Sequence, residues 1–114
     1  MVVLRPIQAL RLWQQVTLSE VRDDAPDLTV RQMAILLTIY LDAPPHTVRG
    51  LAAELRVSKP AITRALDRLC DDGLLRRKTD DNDRRSVLIQ RTVKGSIFLS
   101  DFAETIRRAG AGIA

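Results

Sequence analysis

The chain has 114 residues, of which 46% are apolar, enough for one buried core in a single domain and too many for a disordered tail. Its longest near-continuous apolar run, residues 34–41, falls well short of the roughly 20 residues that a membrane span needs. One cysteine and one histidine leave no internal disulfide and no Cys/His zinc site, and no secretory leader is visible, so the expected location is the cytoplasm, with no membrane partner and no cofactor.

The formal net charge is +4, from 18 Lys and Arg against 14 acids. Its distribution says more. Residues 1–46 are net −1, residues 47–94 net +5 and residues 95–114 neutral. A basic central segment on a neutral scaffold points to a polyanion partner; the plainer reading is a solvated face.

In chain order, the spacing predicts a helix from Pro6 to Asp24, with a wide apolar stripe through Leu10, Leu12, Trp13, Val16, Leu18 and Val21 that needs more than one neighbour. Thr29 and Gln32 form a capping box. The helix they open runs to about Asp42 and is apolar nearly all round, as for a central core helix. Thr47 either caps the next helix, Arg49 to Arg56, or pairs in a short strand before it. Val57-Ser58 is a tight turn, Ser58 an N-cap, and Pro60 falls in the first turn of a helix from Lys59 to about Asp72. Ile62, Ala65, Leu66 and Leu69 mark its inward face, and Gly73 its C-terminal stop. The period then changes. Leu74 to Thr79 and Ser86 to Arg91 read as strands around a polar turn at residues 80–84. Thr92 caps a last helix, residues 93–109, which carries Ile97, Phe98, Leu99, Phe102, Ala103 and Ile106, with Gly110 and Gly112 fraying its end.

Two short helices followed at once by a charged hairpin make a winged helix-turn-helix, in a mainly α (α+β) fold with flanking N- and C-terminal helices. The whole of 1–114 reads as one domain, with the helix-turn-helix and wing in 47–92. The helix at 59–72 shows Lys59, Thr63, Arg64, Asp67 and Arg68 on its free face, and a major groove admits one helix, N-terminus first. Ser58, Lys59, Pro60, Thr63 and Arg64 are therefore the candidates for base edges and nearby phosphates, Arg64 being the best placed for a bidentate guanine contact. Arg84 and Arg85 at the tip suit an adjacent minor groove, with Asp83 expected to orient a guanidinium. Arg49, Arg76, Arg77 and Lys78 are expected on phosphates.

The stretch LLRRKTDDNDRRSVLIQRTVKG, residues 74–95, resembles the wing of MarR-type transcriptional regulators, whose usual pattern is Asp-Pro-x-Asp-Arg-Arg, a strand, then Leu-Thr-x-x-Gly. Asp81 stands in place of the Pro and Arg91 in place of the Leu. Residues 51–74 are similar to the helix-turn-helix of the same family, and the likeness covers about residues 28–100. It implies a bacterial regulator that dimerises through its terminal helices and binds a pseudo-palindromic operator, with Arg84 or Arg85 as the minor-groove arginine. The expected function is a sequence-specific double-stranded DNA-binding regulator, a dimeric repressor, with any small-molecule effector unidentified. Helices 6–24 and 93–109 would form the dimer, through Leu10, Trp13, Val16, Phe98, Phe102 and Ile106. The 22 residues after Thr92 are fewer than the family's usual C-terminal helical region.

The alternative class is a protein-interaction module on the same fold. No phosphate loop, nucleophile–base pair or metal cluster points to an enzyme. Cys70, among acids and with no evident cation beside it, reads as a packed thiol rather than a redox sensor. His46 reads as a loop residue, and an aromatic content of 4% does not support stacking on single strands.

Overall fold

The computed structural model describes residues 3–113. The elements are α1 (Pro6–Arg22), α2 (Val30–Leu41), α3 (Val48–Leu55), α4 (Lys59–Asp71), β1 (Leu75–Thr79), β2 (Val87–Arg91) and α5 (Val93–Ala111). They fall into two compact units, one of residues 28–97 and one of the residues up to 27 with those from 98 onward. No helix among the described residues is long and apolar enough to cross a membrane.

In the unit 28–97 each helix starts where the sequence offers an oxygen. Thr29 Oγ1 accepts from Gln32 N at 3.1 Å, and Gln32 Oε1 accepts from Thr29 N at 2.9 Å. Thr47 Oγ1 accepts from Gly50 N at 3.0 Å, and Ser58 Oγ from Ala61 N at 3.2 Å. Such caps contribute about 1 kcal/mol each. Of the two readings of the segment before α3, the cap is the one found: Thr47 forms no strand, and the segment touches the sheet through one bond, from Ile89 N of β2 to the carbonyl of His46 at 2.9 Å. Arg56 closes α3 in the left-handed region, at φ 57°, a conformation that costs a non-glycine residue roughly 1 kcal/mol and turns the chain sharply into α4. The core is Ile35, Leu36 and Ile39 of α2, Leu51 of α3, Ile62, Leu66 and Leu69 of α4, then Leu74, Leu75 and Ile89.

The end of α4 explains why β1 begins one residue later than expected. Gly73, at φ 75°, lets its own N–H reach Cys70 O and the N–H of Leu74 reach Leu69 O, both at 2.9 Å. This is a Schellman closure, and it uses the donor that Leu74 would have brought to a ladder. Likewise Ser86 belongs to the turn, with its N–H on Asp83 O and its carbonyl accepting from Asp80 N. The antiparallel register then runs from Leu75 opposite Arg91 to Thr79 opposite Val87. Other boundaries also move. Helix α1 stops at Arg22, because Asp23 turns extended. Helix α5 continues through Gly110 to Ala111.

One hydroxyl pair joins these pieces. Tyr40 Oη accepts from Thr92 N at 3.0 Å and lies 2.9 Å from Leu74 O and 3.1 Å from Thr92 O, where its single proton is shared. Thr92 Oγ1 donates to Gly73 O at 2.7 Å and accepts from Gly95 N at 2.9 Å, opening α5. A side chain on Gly95 would collide with the Tyr40 hydroxyl and the Leu74 carbonyl, so only glycine fits there. Tyr40→Phe leaves part-buried backbone groups unpaired and is expected to lower unfolding free energy by about 1–3 kcal/mol. Gly95→Ala is expected to cost at least as much. Urea titration of both variants checks this.

Candidate nucleic-acid interface

Helix α4 buries Ala61, Ile62, Ala65, Leu66 and Leu69 and leaves Lys59, Pro60, Thr63, Arg64, Asp67 and Arg68 exposed. Lys59, Thr63 and Arg64 carry no side-chain hydrogen bond or ion pair to the described residues, so their donors face solvent. Ser58 uses its hydroxyl oxygen as the cap.

Beside the start of α4, a groove of about 280 Å3 is lined by Thr47, Val48, Arg49, Lys59, Arg85, Ser86 and Val87. Three cations from three different elements meet here, and no acid is among the lining residues. The first turns of α3 and α4 open on the same groove and add their partial positive charge. Cationic side chains and helix N-termini together are what a nucleic-acid phosphate recognises.

The wing tip is built by its aspartates. Asp80 Oδ1 accepts from Asn82 N at 2.9 Å, and Asp83 Oδ1 accepts from Arg85 N at 3.1 Å while its Oδ2 accepts from Ser86 Oγ at 3.1 Å. This corrects the role expected for Asp83. Its carboxylate holds the backbone of the turn and orients no guanidinium. Two Asx turns thus form the tip without the proline that Asp81 replaces. Both arginines there are exposed and unpaired by carboxylates of the described residues. Arg85 lines the groove, whereas Arg84 does not.

Several other cations of the central segment are already engaged. Arg68 pairs with Asp72 at 2.8 Å, Arg77 with Asp67 at 2.7 Å and Lys78 with Asp81 at 3.9 Å. Arg76 Nε donates to Gln90 Oε1, its cross-strand neighbour, at 3.0 Å. Arg76 and Lys78 share the sheet face opposite to Arg77, so the three do not act as one patch. Exposed pairs of this kind contribute little stability, but they occupy these cations with partners on the chain. The Arg77–Asp67 pair ties the wing to α4 and was not evident from the sequence, because the partners are ten residues apart across a turn. Arg91, at the position where the family pattern has Leu, also has a use that spacing could not show. Its Nε donates to Ile39 O at 3.0 Å, its Nη2 reaches Asp42 O at 3.4 Å, and its guanidinium lies 5.8 Å from the centroid of the Tyr40 ring. It satisfies free carbonyls at the C-terminal end of α2.

The residues expected at a dimer interface divide. Leu10 and Trp13 are 68% and 58% exposed, Ile106 lies at the surface and Phe98 is half-buried. Val16 and Phe102 are buried in the chain itself and have no free area to offer a partner, which corrects that expectation for both. The wide apolar stripe of each helix hides which of its edges faces inward.

Cys70 does have a cation near it, Arg77, which lowers its pKa. Burial outweighs that effect and, with Asp67 and Asp71, pushes the thiol up. The thiol is therefore expected to alkylate with iodoacetamide at neutral pH several-fold more slowly than free cysteine, as intact-mass kinetics would record.

A family model described as the MarR family matches residues 28–87. Among solved structures, the chain is similar to the transcriptional regulator Tm0710 from Thermotoga maritima, at 25% identity and a TM-score of 0.70 over 90% of this chain and 66% of that one. It is similar to the transcriptional regulator BldR from Sulfolobus solfataricus, at 27% identity and a TM-score of 0.64 over 92% and 81%. A point mutant of S. aureus MepR, at 20% identity, shares the fold with a TM-score of 0.75 over 90% and 72%. The chain thus spans 66% of the length of the first of these relatives.

Proposed function

The chain belongs to the MarR family, and on that premise we propose that it is a sequence-specific double-stranded DNA-binding regulator that acts as a dimeric repressor. The observation that carries this reading is the groove shared by Arg49, Lys59 and Arg85 at the mouth of α4. A backbone phosphate held there seats the N-terminal half of α4 in a major groove, where Arg64, Thr63 and Lys59 meet base edges. The wing then lies along the neighbouring minor groove, with Arg84, outside the phosphate groove, as the arginine that enters it. Arg68, Arg76, Arg77 and Lys78 approach DNA only by giving up partners they already hold.

A dimer places two such helices on half-sites about one helical turn apart, or a multiple of it. Repression follows where an operator of that kind overlaps a promoter. Two of the proteins that the chain is similar to are transcriptional regulators, which supports this reading.

The groove and the helix make different predictions. Arg85→Ala is expected to weaken binding to specific and random duplexes alike and to reduce the slope of log K against log salt by about one. Arg64→Ala is expected to cost about 1–3 kcal/mol on the operator and to relax preference at one base pair. Fluorescence anisotropy of both variants over a salt series, on the duplex upstream of the protein's own gene and on single-site variants of it, separates the two. If neither substitution changes binding, the docking is wrong.

A further inference from the structure

The register sets Arg77 directly opposite Ile89, so the two side chains share the inner face of the hairpin. At this one rung both strands are bonded to the helices. On β2, the N–H of Ile89 donates to His46 O at 2.9 Å, just before α3. On β1, Arg77 Nη2 donates to Asp67 Oδ1 of α4 at 2.7 Å. Farther out, no hydrogen bond or ion pair of the described residues joins the hairpin to a helix. The Lys78–Asp81 pair and the bonds of Asp80, Asp83 and Ser86 stay within the wing. Apolar packing has ended as well, because Ile89 is buried while Thr79 and Val87, the next inward-facing pair, are exposed. Asp67 also places a carboxylate one turn after Thr63 and Arg64 on the exposed face of α4, where negative charge opposes the approach of phosphates. Stability does not account for it, since the two side chains are 35% and 57% exposed and such a pair contributes little.

We propose that Asp67, acting through Arg77, is a positioning residue for DNA reading: it sets the tilt of the wing against α4, and so fixes which minor-groove base pairs Arg84 reaches for a given set of base pairs under Arg64. The proposal rests on the DNA-binding reading above and names what keeps its two contacts in step. The His46 bond alone is a single point, about which the hairpin can turn. A second point on the other strand, at the same rung, removes that freedom. A strand rises about 3.3 Å per residue, so the tip begins about 10 Å beyond the rung, and a tilt of about 10° there moves it by about 2 Å. That is about half the spacing of successive base pairs along the duplex, enough to spoil the fit of a guanidinium in a narrow minor groove.

The experiment uses the duplex that the wild type selects from a random library. Each base pair flanking the site of α4 is set in turn to G·C or to inosine·C. The two present the same groups to the major groove, but only G·C carries an amino group in the minor groove, so the ratio of affinities at each position reports minor-groove reading alone. Fluorescence anisotropy compares the wild type, Asp67→Asn, Arg77→Gln and the double variant. The wild type is expected to favour inosine by about fivefold or more at one flanking position. Each single variant should lower that preference to about twofold or less, and the double variant should lose no more than either alone, as for two residues acting as one unit. Preference at the base pair under Arg64 should stay, which also shows that the variants are folded. Affinity for a random duplex separates charge from position. It should rise for Asp67→Asn and fall for Arg77→Gln, whereas the inosine preference falls in both. An undiminished preference at the same position in either single variant, or losses that multiply in the double variant, would overturn the role of the pair and leave the DNA reading standing. A wild type with no inosine preference at any flanking position overturns the minor-groove reading and this proposal with it, and one that selects no duplex overturns the function as well.

Discussion

The hydroxyls of Tyr40 and Thr92 are the constraint on which the unit of residues 28–97 depends. They stand where α4 passes into β1 and where β2 passes into α5, and they bond to backbone groups on both sides of that junction. A two-stranded hairpin is at best marginal alone in water. Here its base is pinned to α2 through Tyr40 and its inner face is closed by Leu75 and Ile89, so it stands as a rigid wing. The same junction demands Gly73 for the left-handed stop of α4 and Gly95 for the close approach of α5. The end of α4, the base of the hairpin and the start of α5 thus follow from one small polar cluster.

Above that base, the basic residues near α4 and the wing differ in what already holds them. Arg68, Arg77 and Lys78 are neutralised by carboxylates, and Arg91 sits on carbonyls at the end of α2. Arg49, Lys59, Arg64, Arg84 and Arg85 remain available. The pairs leave the central net charge at +5 but limit the number of cations free to take a phosphate without giving up a partner. Non-specific affinity scales with the number of phosphates neutralised, so fewer free cations favour discrimination over general adhesion to nucleic acid. The aspartates of the wing act in the same sense, holding the tip in one shape while offsetting its charge.

Most of the fold was legible because it is locally encoded. Thr29, Thr47, Ser58 and Gly73 announce helix ends through bonds made within a few residues, and the change of period after Gly73 announces the hairpin. What was not legible depends on groups far apart in sequence or on which edge of a stripe turns inward. Val16 and Phe102 share their helices with exposed apolar residues, and apolar pattern alone does not separate core from surface. Asp83 offered two uses for one carboxylate, and the backbone N–H of Arg85, two residues away, competes better than a mobile guanidinium. Arg85 and Arg84 are adjacent and alike, and only the geometry of the turn assigns the groove to one of them.

The account turns on whether the groove and the free face of α4 read sequence or merely attract phosphate. The most direct measurement is the ratio of affinities for the duplex upstream of the protein's own gene and for its scrambled counterpart, taken at low and near-physiological salt. The account predicts a preference of about 10³ or more that survives the higher salt. Equal affinities that fall together as salt rises, there and across a library of random duplexes, would contradict it.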